Sequence, residues 1–141
     1  MRILGVDWGE ARIGLALSDP TGTLATPLMT LHEKDKRDQI ERVVDIAREH
    51  EVARIVVGIP YTLDGEEGHM ARWARKYAEK LGRVSGIEVI GVDERFTSVA
   101  ADYALEAADA GRRTHRGKGD RDQAAAAILL QEYLDGGGGQ A

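Results

Sequence analysis

Two short apolar runs open the chain, residues 2–7 and 12–18, separated by a turn around Gly9 and Glu10, and together they predict a hairpin. After the turn residues Asp19-Pro20-Thr21-Gly22, residues 24–31 predict a third strand, with Pro27 placing it at an edge or a bulge. The period then changes. Ile40, Val43, Val44 and Ala47 fall at i, i+3, i+4 and i+7, one face of a helix running from about Asp35 to about His50. RIVVGI, residues 54–59, has the length and β-branching of a central parallel strand, which Pro60 stops. A loop with Asp64-Gly65 and Gly68 leads to a second helix, whose predicted stripe is Met70, Trp73, Ala74, Tyr77, Ala78 and Leu81. Residues 88–92 form a fifth strand closing on Asp93-Glu94-Arg95, and Thr97 or Ser98 caps a third helix to about Ala110. A final helix is expected over 121–134.

The order β-β-β-α-β-α-β-α-α joins three antiparallel strands to β-α-β crossovers. It predicts an α/β domain with a mixed five-stranded sheet and helices on both faces, the arrangement of the ribonuclease H-like fold. One domain is expected over residues 1–135, with 136–141 as a flexible glycine-rich tail.

Charge sharpens this picture. The net charge of -5 argues against a chain that binds nucleic acid by general electrostatics. Yet RRTHRGKGDR, residues 112–121, sets Arg112, Arg113, Arg116, Lys118 and Arg121 against one acid, Asp120. An acidic body with one basic, glycine-rich loop suits phosphate anchoring at a defined place. The loop is no P-loop: five residues separate Gly111 from Gly117, and Gly119 follows Lys118. The absence of cysteine excludes disulfides and thiolate-ligated metals, so any metal here is held by oxygen or imidazole. The four histidines, His32, His50, His69 and His115, lack metal-ligand spacing, and only His115 is kept, as a substrate contact. Neither a signal-peptide pattern nor an apolar run of about 18 residues is present, and a cytoplasmic protein without a membrane partner is expected.

Asp7 ends the first strand, and Asp93 and Glu94 end the last, so two strands present acids at one sheet edge. Asp122 opens the final helix, whose Ala-rich face must reach the sheet. Three converging carboxylates repel one another unless a cation lies between them, and an oxygen-only donor set suits magnesium or manganese. Two such ions would serve phosphodiester hydrolysis. Each acid also has a plainer role. Asp7 suits a turn, Asp93 or Glu94 suits a solvated strand end or a partner for Arg95, and Asp122 suits the helix macrodipole. Asp120, with Gln123 three residues on, has the spacing of a helix cap. Trp73 is expected in the core, and Trp8 either contacts a base or packs under the second strand.

VDWGEARIGLALSD, RIVVGIP with the following DG, VDERFTS, and GKGDRDQAAAAILLQEYL together resemble the YqgF/RuvX family of ribonuclease H-like proteins, in family order over nearly the whole chain. The resemblance implies a metal-dependent endonuclease related to Holliday junction resolvases, with processing of the 5′ end of precursor 16S ribosomal RNA also assigned to the family. Carried over by motif, the catalytic and metal-binding acids are Asp7, Glu94 (Asp93 as its alternative) and Asp122. Arg121 stands where the family has an aliphatic residue. Arg12, Arg112, Arg113, Arg116, Lys118 and Arg121 are the candidate contacts to nucleic acid, either a four-way DNA junction or pre-16S rRNA. A junction cut symmetrically requires two active sites, hence a two-fold homodimer. The competing reading is a ribosome-assembly module that docks on RNA through the basic loop without chemistry. A third, an actin-like ATPase hairpin, needs two facing domains.

Overall fold

The computed structural model describes residues 1–61, 66–94 and 118–137, with the backbone alone at 118–120. The apolar runs fold as five strands. β1 (Ile3–Trp8) and β2 (Arg12–Ser18) form the hairpin, with Asp7 opposite Gly14. β3 (Ala25–His32) pairs antiparallel with β2 at the sheet edge, and its register shifts beside Pro27. Proline has no N–H for a ladder, so an irregular edge is where it fits. α1 (Lys36–Glu49) starts where the Asp35 carboxylate accepts from the backbone N–H groups of Arg37 and Asp38. β4 (Arg54–Ile59) runs parallel to β1. α2 (His69–Ser85) ends on Gly86, whose φ of 72° no side-chain-bearing residue adopts readily, and β5 (Glu88–Asp93) runs parallel to β4. α3 (Lys118–Asp135) is the last element. The sheet order β3-β2-β1-β4-β5 makes the first strand the central one.

Strand alternation divides the core. Leu4, Val6, Ile13, Leu15, Ile55 and Val57 face α1 and α2. Ile3, Ala16 and Val56 face the other way, onto Ala126, Leu130 and Leu134 of α3. Asp7 shares the parity of Ile3, and so belongs to the α3 face. That face is built of small residues where α3 begins. A Cβ on Gly14 would lie 2.0 Å from the backbone carbonyl oxygen of Asp122, so only glycine lets the helix start directly over the end of β1. Gly14→Ala is therefore expected to cost on the order of 1–3 kcal/mol, read in urea denaturation, because the whole helix must shift. An unchanged midpoint would contradict this seat for α3.

Two expectations need correction. The last helix includes Lys118, Gly119 and Asp120, so it begins at least three residues before Arg121, and Asp120 lies in the first turn rather than capping it. An acid in the first turn favours the macrodipole as a cap favours the free N–H groups, and spacing alone does not separate the two. Trp73 is 45% exposed, not in the core. The buried stripe of α2 is Ala71, Ala74, Tyr77, Ala78 and Leu81, whose small residues bring the helix close to its neighbours and turn the indole to the rim. The predicted helix over 97–110 and the loop residues Arg112, Arg113, His115 and Arg116 lie outside the described residues. Among the described residues no helix is long and apolar enough to cross a membrane.

Candidate active site

Asp7 and Glu94 meet on the α3 face of the sheet. The backbone N–H of Glu94 donates to the carbonyl of Ile59 at 3.2 Å, which carries the chain one residue beyond β5 while holding it against β4. Its side chain then folds over Gly58, where a Cβ would stand 2.2 Å from Oε2. Glu94 is buried, whereas Asp93 points to solvent, as alternation along β5 requires. Of the two acids in the D-E-R sequence, Glu94 is thus the one that reaches Asp7.

The two carboxyl groups share a proton. Burial pushes Glu94 up to about 9, with further contributions from the charge of Asp7, the hydrogen bond to it and the charge of Asp93. Burial also raises Asp7, to about 6; the hydrogen bond from Glu94 opposes this and the charge of Asp122 adds to it. Near neutrality the pair therefore holds one proton, with the Glu94 hydroxyl donating to ionised Asp7, and it titrates as a unit.

Asp122 completes the group from the first turns of α3. Burial raises its pKa, while Arg12 lowers it, as do His32 and Arg121 more weakly. The Arg12 Nε lies 2.8 Å from Oδ2 of Asp122. The guanidinium is the charged neighbour of this solvent-shielded oxygen. Such an oxygen is costly to bury and is suited to a cation.

A cleft of about 130 Å³, room for several waters, opens between Asp7, Arg12 and Asp122 at the β1–β2 turn. Gln39 of α1 fixes the turn: its amide nitrogen donates to the carbonyls of Gly9, Glu10 and Glu33 at 3.2, 2.8 and 2.8 Å. Its oxygen accepts from the Trp8 indole N–H at 3.1 Å. Trp8 therefore packs on the face of the sheet that carries α1 and α2, beside Ile13 of β2 and stacked on Tyr77 at 5.8 Å.

Asp7, Glu94, Asp122 and Arg12 come together. Arg121 is exposed and near Asp122, and Lys118 sits at the helix start. Reading the sequence missed Gln39, Gly14, Gly58 and His32. The signal for Gln39 was its place on the helical stripe, four residues before Val43 and seven before Ile46. The two glycines carried none, because their neighbours across the fold are distant in sequence. Among the described residues no three His, Cys, Asp or Glu side chains stand arranged as a metal cage. In kind, three carboxylates fit a hard divalent cation.

Residues 1–136 match the family model described as "RuvX: Holliday junction resolvase". A relative from Anaeromyxobacter sp. (strain Fw109-5), named "Putative pre-16S rRNA nuclease", is 41% identical, covering 96% of this chain and 98% of its own. One of the same name from Fusobacterium nucleatum is 42% identical over 95% of this chain and 96% of its own. Among solved structures, Thermus thermophilus RuvC in complex with a Holliday junction superposes with a TM-score of 0.59 at 15% identity, covering 98% of this chain and 97% of that one. The fowlpox virus Holliday junction resolvase gives 0.60 at 12% identity, covering 96% and 99%. These two likenesses show the fold, the ribonuclease H-like fold of the resolvases.

Proposed function

The chain belongs to the RuvX family of Holliday junction resolvases, a family of nucleases, and on that premise we propose that it is a divalent-metal-dependent endonuclease whose catalytic acids are Asp7, Glu94 and Asp122. The observation that carries the proposal is the convergence of these carboxylates at the open edge of the sheet, where Glu94 folds over Gly58 to hydrogen-bond Asp7 and Asp122 borders the same cleft as Asp7. Asp7, Glu94 and Asp122 would hold magnesium or manganese, two ions in the full site. Bound there, such ions would supply a lowered pKa for the attacking water and charge stabilisation for the leaving oxygen.

The chain's own groups do the rest. Asp7, fixed on the central strand, orients the site with little side-chain freedom. Glu94 would hold the ion as a carboxylate, having lost its proton. Arg12, beside the cleft and paired with Asp122, is placed to contact a substrate phosphate. Arg121 and Lys118 of α3, with Arg112, Arg113 and Arg116 of the preceding loop, anchor flanking phosphates and offset the acidity of the chain. The substrate is structured nucleic acid, a four-way DNA junction or the 5′ end of pre-16S rRNA, and the junction reading includes a two-fold homodimer.

Cleavage of a synthetic four-way junction and of a precursor 16S fragment, each with magnesium and with manganese, tests this. At least one substrate is expected to be cut, with dependence on the added ion. Binding of either without cleavage under manganese overturns the proposal in favour of a non-catalytic RNA-docking module.

A further inference from the structure

A second cavity, about 370 Å³, lies on the opposite face of the sheet from the carboxylates, between the end of β1 and helices α1 and α2. Its volume falls in the range of ligand pockets, about 300–1,000 Å³. Two indoles line it. Trp8 is held rigidly by its hydrogen bond to Gln39 and by stacking on Tyr77, whose hydroxyl donates to the Gln39 carbonyl at 3.0 Å. Trp73 stands 45% exposed at the rim, braced edge-on by His69 at 5.4 Å. Lys34, Lys36, Lys76 and Lys80 surround the opening. None of the four is ion-paired among the described residues, although the chain has an excess of acids. One carboxylate, Glu10, shares the lining.

The cavity adjoins the candidate active site across the β1–β2 turn. Asp7 and Trp8 are consecutive on β1, so their side chains leave opposite faces of the sheet at the same edge. Trp8 and Glu10 line both this cavity and the carboxylate cleft. A strand whose phosphate lies at Asp7 meets the lysines and indoles on passing over the β1–β2 turn. We propose that this cavity is a subsite for an unpaired nucleotide flanking the cleaved bond, its base stacked on Trp73 and its phosphates held by the four lysines.

Flat aromatic faces combined with cationic side chains are how unpaired nucleic acid is bound without sequence preference. An acidic peptide would satisfy the lysines but leave the indoles without flat partners. A second copy of this chain would bring like-charged lysines together across a two-fold axis. The subsite rests on the nuclease reading for its place in the reaction, but its binding is measurable alone.

The test is fluorescence anisotropy of labelled deoxythymidine and uridine tracts of about ten nucleotides, titrated with the full chain in EDTA, where no cleavage interferes. Trp73→Ala, at an exposed position, is expected to weaken binding about tenfold without altering its salt dependence. Lys76→Glu with Lys80→Glu is expected to weaken it further and to flatten the log K against log salt slope by roughly 1.4. The tighter of the two tracts identifies DNA or RNA as the source of the nucleotide. In cleavage assays with manganese, Trp73→Ala should raise KM with kcat nearly unchanged. Affinities of both variants within about twofold of wild type overturn the subsite, while wild-type cleavage in the same preparation leaves the nuclease reading standing. A dimer dissolved by Trp73→Ala with oligonucleotide affinity unchanged also overturns it, giving the face to a second copy. If instead nothing is cleaved and Trp73→Ala still weakens binding, the subsite stands and the nuclease reading falls.

Discussion

Replacing Asp7 by asparagine should abolish cleavage while raising the stability of the metal-free protein near neutral and alkaline pH. Both effects have one cause. Asp7 is partly buried beside Glu94 and within the field of Asp122, so its charge is retained against desolvation and like-charge repulsion. Asparagine keeps the shape and removes the charge. It also relieves Glu94, whose carboxylate can then ionise and accept a hydrogen bond from the new amide. The gain is expected to be about 0.5–2 kcal/mol, the scale on which active-site groups trade stability for activity. Loss of the central carboxylate should lower the cleavage rate by roughly a thousandfold or more, because the acids act as a unit. Cleavage at the wild-type rate would remove Asp7 from the catalytic group. An inactive variant with a lowered denaturation midpoint would mean that Asp7 supports the fold and that its loss of activity is not specific.

Most of the fold could be read from the chain because its determinants are local. The apolar run before Asp7, the stripe at Ile40 to Ala47 and the proline at 27 each set an element by interactions within a few residues. Trp73 escaped because helical phase is a matter of one residue, and the close approach of Ala71, Ala74 and Ala78 outweighs the hydrophobicity of a single indole. The start of α3 escaped for another reason. Gly119 and Asp120 are weak helix formers, so local propensity places the start of the helix after them. In the site, Asp7, Glu94 and Asp122 stand out in the chain as candidates, and the fold brings Asp7 and Glu94 into hydrogen-bond contact with Asp122 close by. Local pattern does not separate Asp93 from Glu94; it is Gly58, distant in sequence, that leaves the space in which Glu94 reaches Asp7. The pairing of Arg12 with Asp122 was equally hidden, since Arg12 read only as a phosphate contact.

The same carboxylates fix how stability should depend on pH. Asp7 and Glu94 bind protons more tightly folded than unfolded, with folded values of about 6 and about 9 against 3.8 and 4.5. A state that binds more protons is favoured by acid, so their contribution to stability falls as pH rises, from about pH 4 up to about pH 9. Asp19 works in the opposite sense at the acid end. Its carboxylate accepts from the backbone N–H groups of Thr23 and Leu24, at 2.8 and 2.9 Å, and from the Thr21 hydroxyl, which holds its pKa well below the usual range. Its contribution is lost only in strong acid. Without divalent ions the melting temperature is therefore expected to be highest near pH 5 and to decline toward pH 9, on the order of several degrees. Asp7→Asn should flatten the decline. Magnesium or manganese, competing with the shared proton, should bind more tightly as pH rises and reverse the trend, raising the melting temperature by on the order of 5–10 °C at a hundredfold excess over Kd. EDTA should restore the decline. Scanning calorimetry across pH with EDTA and with each ion checks all of this, and a metal-free melting temperature that climbs steadily from pH 5 to pH 9 would mean that Asp7 and Glu94 share no proton.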